Sequence, residues 1–180
     1  MRRTSLSLLV LVFGSAVLAA PALHALSGKG EHPFPQDLGV LYGTVDRADL
    51  GQRRELYASA EALAAARDGK ALPPGSELTM IAYAIARDAA GTPIANADGS
   101  FIKEAPLAYL FMRKRGAEAS YPSDGTIGAW QFQMFGPDKR VLRAAKLGDC
   151  AACHDRRRDT DFVFTDDLMH AFASDARPPR

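Results

Sequence analysis

Between Glu77 and Arg87 the chain is apolar at both alternating sets of positions. Leu78, Met80, Ala82, Ala84 and Ala86 fall on one face, and Thr79, Ile81, Tyr83 and Ile85 on the other. Period-two spacing with apolar side chains on both sides predicts a strand covered on both faces. The β-branched and aromatic positions favour this strand over the helix that the alanines would permit. Ala108 to Arg113, with Tyr109, Leu110, Phe111 and Met112, predicts a second strand. From Ala129 to Phe135, Trp130, Phe132 and Met134 alternate with Gln131 and Gln133, which predicts a third strand, half buried. Turn formers separate these runs: Pro73-Pro74-Gly75, the stretch from Asp88 to Ser100, and Tyr121-Pro122-Ser123-Asp124-Gly125. This hairpin-like succession predicts an antiparallel sheet and an α+β, mainly β, fold with short flanking helices.

One flanking helix is well marked: Ser59 is a good N-cap, Ala60 to Arg67 is alanine-rich with Glu61 in the first turn, and Gly69 follows its end. Asp166 to Ala173 predicts a short terminal helix carrying His170 as a structural or exposed residue. Ser27 to Pro35 reads as a loose arm with His32 in solvent. Val40-Leu41-Tyr42 before Gly43 and Thr44 suggests a short helix or turn, and Arg53 to Tyr57 is too short to assign. There is no internal repeat.

The first residues form a separate unit. Arg2 and Arg3 precede an apolar run from Leu6 to Ala20, followed by small residues at Ala20, Ala22 and Ala25, the layout of a secretory signal peptide. The run is interrupted by Gly14 and Ser15 and falls short of the ~20 residues of a spanning helix. The expected organisation is therefore a signal peptide over residues 1–25 and one domain over 26–180, exported and periplasmic if the source is a Gram-negative bacterium, with no membrane span after cleavage. Of 180 residues, 47% are hydrophobic and 24% charged, average values for a globular protein. Loss of Arg2 and Arg3 takes the formal charge from +1 to −1. So balanced a chain lacks the basic surplus of a nucleic-acid binder.

An oxidising compartment gives weight to the two cysteines. They stand in Cys150-Ala151-Ala152-Cys153-His154, the C-x-x-C-H signature of c-type haem attachment. On a helical turn, residues i and i+3 share a face, so both thiols can reach the vinyl groups of one porphyrin, and His154 can take the iron as proximal ligand. Asp149 is placed to cap that turn. Three other readings compete. A thioredoxin-like pair needs a βαβ setting, a zinc site needs four ligands where only His32 and His170 remain, and a structural disulfide leaves His154 unexplained. A methionine sixth ligand would make an electron carrier. The mature candidates are Met80, Met112, Met134 and Met169, with core packing the ordinary role of each. Met80 ranks first because Ala82, Ala84 and Ala86 share its strand face, small side chains that leave room for a flat ring or equally for a helix. Trp130 and Phe132 read as core and haem-packing residues, and Asp155-Arg156-Arg157-Arg158-Asp159 as a solvated face.

The segment Cys150 to Thr165, in which the haem motif is followed by Thr160-Asp161-Phe162-Val163-Phe164-Thr165, resembles the C-terminal signature of the cytochrome P-460 family. Arg54-Glu55-Leu56-Tyr57, Ala60 to Arg67, Pro74-Gly75-Ser76 and Trp130-Gln131-Phe132 fall in the family's order. The resemblance implies a mainly β fold, one covalent haem held by the motif histidine, and an exchangeable distal position. Family members of this kind oxidise hydroxylamine or bind nitric oxide, and the related cytochromes c′-β are gas-binding proteins. The hydroxylamine-oxidising members carry a lysine cross-linked to the porphyrin five residues after the glycine that opens the first long strand. Counted from Gly75, that residue here is Met80, and Lys70 and Lys103 lie elsewhere in the pattern. Arg54 resembles a family arginine near the distal pocket, where it would hold a polar ligand; pairing on the surface or with a haem propionate is the other role open to it. Three functions follow as expectations. The first is a mono-haem cytochrome whose distal side, near Met80 and Arg54, binds nitric oxide or a related nitrogen species. The second is an electron carrier, served by a redox partner protein, with a methionine sixth ligand. The third is a hydroxylamine-oxidising enzyme that works without the cross-link.

Overall fold

The computed structural model describes residues 31–116, 125–143 and 145–175. Strands β1 (Val40–Arg47), β2 (Gln52–Ala58), β3 (Glu77–Ile85), β4 (Lys103–Lys114), β5 (Thr126–Ile127) and β6 (Trp130–Phe135) make one sheet in the order β1-β2-β3-β4-β6-β5. Every pairing is antiparallel. Three short helices flank it: α1 (Ala60–Arg67), α2 (Leu147–His154) and α3 (Asp166–Asp175). The expected α+β, mainly β, class is the class that forms. The leader expected over 1–25 and, of the turn expected over 121–125, all but Gly125 lie outside the described residues.

Val40 to Thr44 is strand, not helix or turn. β1 is an edge strand with an irregularity between Leu41 and Gly43. Val40 and Leu41 are both exposed, so the alternation that marks a half-buried strand is broken. Arg53 to Tyr57 belongs to β2, whose polar residues gave no apolar period. α1 starts where expected: Ser59 Oγ accepts from the Ala62 amide, and Gly69 follows at φ +66°.

Register sorts the sheet into two faces. Leu56, Leu78, Met80, Leu110, Met112, Phe132 and Trp130 point to the front, where the helices pack. Glu55, Tyr57, Ile81, Tyr83, Tyr109, Phe111 and Phe135 point to the back. β6 is covered on both faces, with Gln131 and Gln133 buried rather than wet.

The arm accounts for that cover. The Phe34 ring stands edge-on to Tyr109, Phe111 and Phe135, with centroids 5.0, 5.7 and 5.3 Å away. His32 is half-buried rather than free in solvent. Its backbone N–H donates to Gln133 Oε1 at 2.9 Å, and its carbonyl accepts from Gln133 Nε2 at 2.7 Å. Its ring lies between Arg113 Nη1, 3.2 Å from Nδ1, and Arg115 Nη2, 2.7 Å from Nε2. Burial and then these two guanidiniums hold the imidazole below its ordinary pKa, against opposing pulls from a hydrogen bond with Gln131 and then from Glu77. A histidine whose folded pKa is lowered binds more protons unfolded, so its contribution to stability is lost as pH falls below the ordinary value near 6.5. The urea midpoint of the wild type is expected to fall faster between pH 7 and pH 5 than that of His32→Gln; parallel pH dependences would contradict this clasp.

Candidate functional site

α2 rises from a loop and lies over β5 and β6. Cys150, Cys153 and His154 all sit on it, so the two thiols occupy positions i and i+3 of one helix. Both cysteines are free, Cys153 exposed and Cys150 half-buried, and burial and then Asp149 push the Cys150 thiol up. The expected cap by Asp149 does not form. Lys146 holds the N-cap position without a side-chain bond, and Asp149 instead places negative charge in the first turn.

His154 is oriented by the chain after the helix. Its Nδ1 lies 2.7 Å from the Phe162 carbonyl oxygen, which can only accept, so the proton sits on Nδ1 and the lone pair on Nε2. Burial lowers the ring's pKa and the carbonyl bond opposes it. Phe132 and Phe164 hold the ring from two sides, at centroid distances of 4.8 and 5.0 Å.

The segment from Thr160 to Thr165 that carries this carbonyl is anchored at several points. Thr160 Oγ donates to the Val163 carbonyl at 2.7 Å. Asp161 and Phe162 both take left-handed backbone, at φ +51° and +66°, and Asp161 is held by Lys114 Nζ at 2.5 Å. The Phe162 ring lies over Gly128, Val163 is buried in the front core, and Thr165 Oγ is 2.6 Å from the Tyr42 hydroxyl. A Cβ on Gly128 would come within 2.7 Å of the Phe162 ring, at a residue with φ +53°. Gly128→Ala is therefore expected to cost roughly 1–3 kcal/mol of stability in urea unfolding and to shift Phe162 off His154. Wild-type stability would contradict this packing.

Cys150, Cys153 and His154 line a single cavity of about 420 Å³. Its facing wall comes largely from the sheet front, with Leu56, Leu78, Met80, Leu110, Met112 and Met134, and Tyr42, Val163, Phe164 and Thr165 also line it. Met80 lies at the centre of β3, opposite Leu56 on β2 and Leu110 on β4. Met169 drops out of the candidate ligands, because it is fully buried in the core that packs α3 against the sheet. Ala82, expected to widen the space beside Met80, is buried opposite Arg54 and Ala108 and is not part of the wall. Arg54 reaches the cavity from the β1–β2 side, with Nε and Nη2 donating to Gln52 Oε1 at 3.2 and 3.0 Å. Burial and then Arg47 lower its pKa, yet a guanidinium remains charged.

The sequence profile of the cytochrome P460 family matches residues 36–165, which run from the end of the arm to the threonine that closes the cavity. The chain belongs to the cytochrome P460 family. A comparison with curated proteins found no match. Cytochromes of this family carry covalently bound haem c, and the residues present fit that group. The two thiols and the imidazole face one cavity, the imidazole keeps its Nε2 lone pair, the walls are apolar, and the volume lies in the range of cofactor pockets. Among the described residues no cluster of three or more His, Cys, Asp or Glu side chains could by itself hold a metal ion, and no helix is long and apolar enough to cross a membrane.

The charged run after the motif is largely a solvated face, as expected, with Arg156, Arg158 and Asp159 exposed, and it makes local contacts. Arg157 lies over the Phe164 ring at 5.8 Å, and Arg158 pairs with Asp155. The Phe162 carbonyl was invisible to residue-type reasoning, because a main-chain oxygen has no letter of its own. The consecutive left-handed residues that aim it are not glycines, so composition carried no sign of them.

Proposed function

We propose that this cytochrome P460 family member is an exported mono-haem protein whose cavity binds nitric oxide or a related small nitrogen species. What carries the reading is the pairing of walls: Cys150, Cys153 and His154 on one side, and an apolar sheet face with the cation Arg54 on the other. Haem iron held by one imidazole offers a coordination position on its opposite face to a small molecule. Cys150 and Cys153 would fix the ring to α2. The Phe162 carbonyl would keep the proton on Nδ1 and raise the donor strength of Nε2. Leu56, Leu78 and Leu110 would exclude water, and Arg54 would hold a polar ligand by donating from its guanidinium.

Met80 supports a second reading, since it lines the same cavity and a thioether on the iron would make an electron carrier. Titration of ferrous holoprotein with nitric oxide separates the two. On the ligand-binding reading, wild type and Met80→Leu bind it with the same affinity. A variant that binds more tightly and changes spin state would assign Met80 as a ligand. With methionine where the cross-linking lysine would stand, hydroxylamine turnover above free haem is not expected; turnover would restore the enzymatic reading.

A further inference from the structure

Behind the cavity, on the opposite face of the same strands, stands a polar cluster that ligand binding does not use. Glu55 of β2 is buried, with a relative exposure of 7%. Its Oε2 accepts from the Tyr57 hydroxyl at 2.8 Å and the Tyr83 hydroxyl at 3.0 Å, and its Oε1 is paired with Lys103 Nζ. Burial pushes the Glu55 carboxyl up, but Lys103 and the two hydroxyls outweigh it, so Glu55 is held ionised. Burial and the facing carboxylate raise Tyr57 to about 12, and Tyr83 is also raised. Each tyrosine therefore keeps its proton while a base waits within hydrogen-bond reach.

This arrangement suits proton-coupled oxidation. Removing an electron from a phenol makes it strongly acidic, and its proton must leave; a buried carboxylate already bonded to the hydroxyl takes it without a water. The two tyrosines are not equivalent. Lys103 Nζ lies 4.7 Å from the Tyr83 ring centroid, where a cation opposes loss of an electron. Tyr57 directly follows Leu56, a wall residue of the cavity. Tyr42 itself lines the cavity, but its hydroxyl bonds to the Thr165 hydroxyl, which is no base at neutral pH, so an oxidised Tyr42 has no acceptor for its proton.

We propose that Tyr57, with Glu55 as its proton acceptor, is a one-electron redox site that passes oxidising equivalents between the cavity side of the sheet and its back. An outer-sphere one-electron oxidant takes one electron from Tyr57, and the hydroxyl proton moves to Glu55 Oε2. The products are a neutral tyrosyl radical and a neutral carboxylic acid; one electron from an outer-sphere reductant reverses the step. Lys103, half exposed, links the cluster to solvent. The proposal rests on the haem reading only for the natural source of the oxidising equivalent.

The test is flash oxidation of the ferric holoprotein with photogenerated tris(bipyridine)ruthenium(III), read by electron paramagnetic resonance. A tyrosyl radical is expected in the wild type and in Tyr83→Phe, and not in Tyr57→Phe. Glu55→Gln should slow its formation by roughly a hundredfold. Tyr→Phe removes only a hydroxyl, so these variants keep the fold even if Glu55→Gln does not. A wild-type radical yield in Tyr57→Phe, loss of the radical in Tyr83→Phe alone, or an unchanged rate in Glu55→Gln would overturn the proposal. Nitric oxide titration of the same variants checks the cavity separately, since none of the three residues lines it.

Discussion

Replacing Cys150 and Cys153 together by serine leaves a chain with no covalently attached haem. Intact mass then equals that of the polypeptide, and denaturation releases any pigment to organic solvent. The expectation follows from the geometry of α2, which puts both thiols at one helix face and in one cavity. Either single substitution leaves one thiol on that face, so one thioether and a pigment that stays with the chain are expected. The loss is specific to attachment. Cys153 is exposed and Cys150 half-buried, so serine at these positions costs little packing, and the urea midpoint of the haem-free chains should match. Haem retained through denaturation by the double variant would contradict the assignment of the motif.

Trp130→Ala produces the largest loss of stability. Its side chain is fully buried on the front of β6, and its indole N–H makes no hydrogen bond among the described residues, so the loss is one of packing. Removing a fully buried aromatic costs roughly 3–5 kcal/mol, a large share of the ~5–15 kcal/mol that holds a domain together. The damage reaches the site. Lys114, the register partner of Trp130, stands 5.7 Å over the indole and reaches Asp161, next to the residue whose carbonyl orients His154. Urea unfolding is expected to show the loss, with Trp130→Phe retaining most of the stability. A wild-type midpoint in Trp130→Ala would contradict this placement of the core.

The legible parts of the fold were those with a local rule behind them. β3 and β6 carried a two-residue period, β4 a run of large apolar and aromatic side chains, α1 a cap and a terminal glycine, and the haem motif its own spacing. β1 and β2 were not legible, because an edge strand with exposed Val40 and Leu41 and a β2 rich in polar residues show no period. The arm looked loose for a similar reason. Its anchors, Phe34 on β4 and β6 and His32 between Arg113 and Arg115, are contacts across roughly 80 to 100 positions of chain, which no window of sequence contains. Asp149 failed as a cap because the helix begins earlier, at Leu147. The candidates Cys150, Cys153, His154, Met80 and Arg54 are all brought to one cavity, and Met169 is not.

The most direct test of the proposed function is the optical spectrum of the purified ferrous holoprotein before and after addition of nitric oxide. His154 as the only protein ligand, with the sheet face of Leu56, Met80 and Leu110 as wall, predicts a five-coordinate high-spin spectrum that shifts when the gas is added. A six-coordinate low-spin spectrum that nitric oxide leaves unchanged would contradict it.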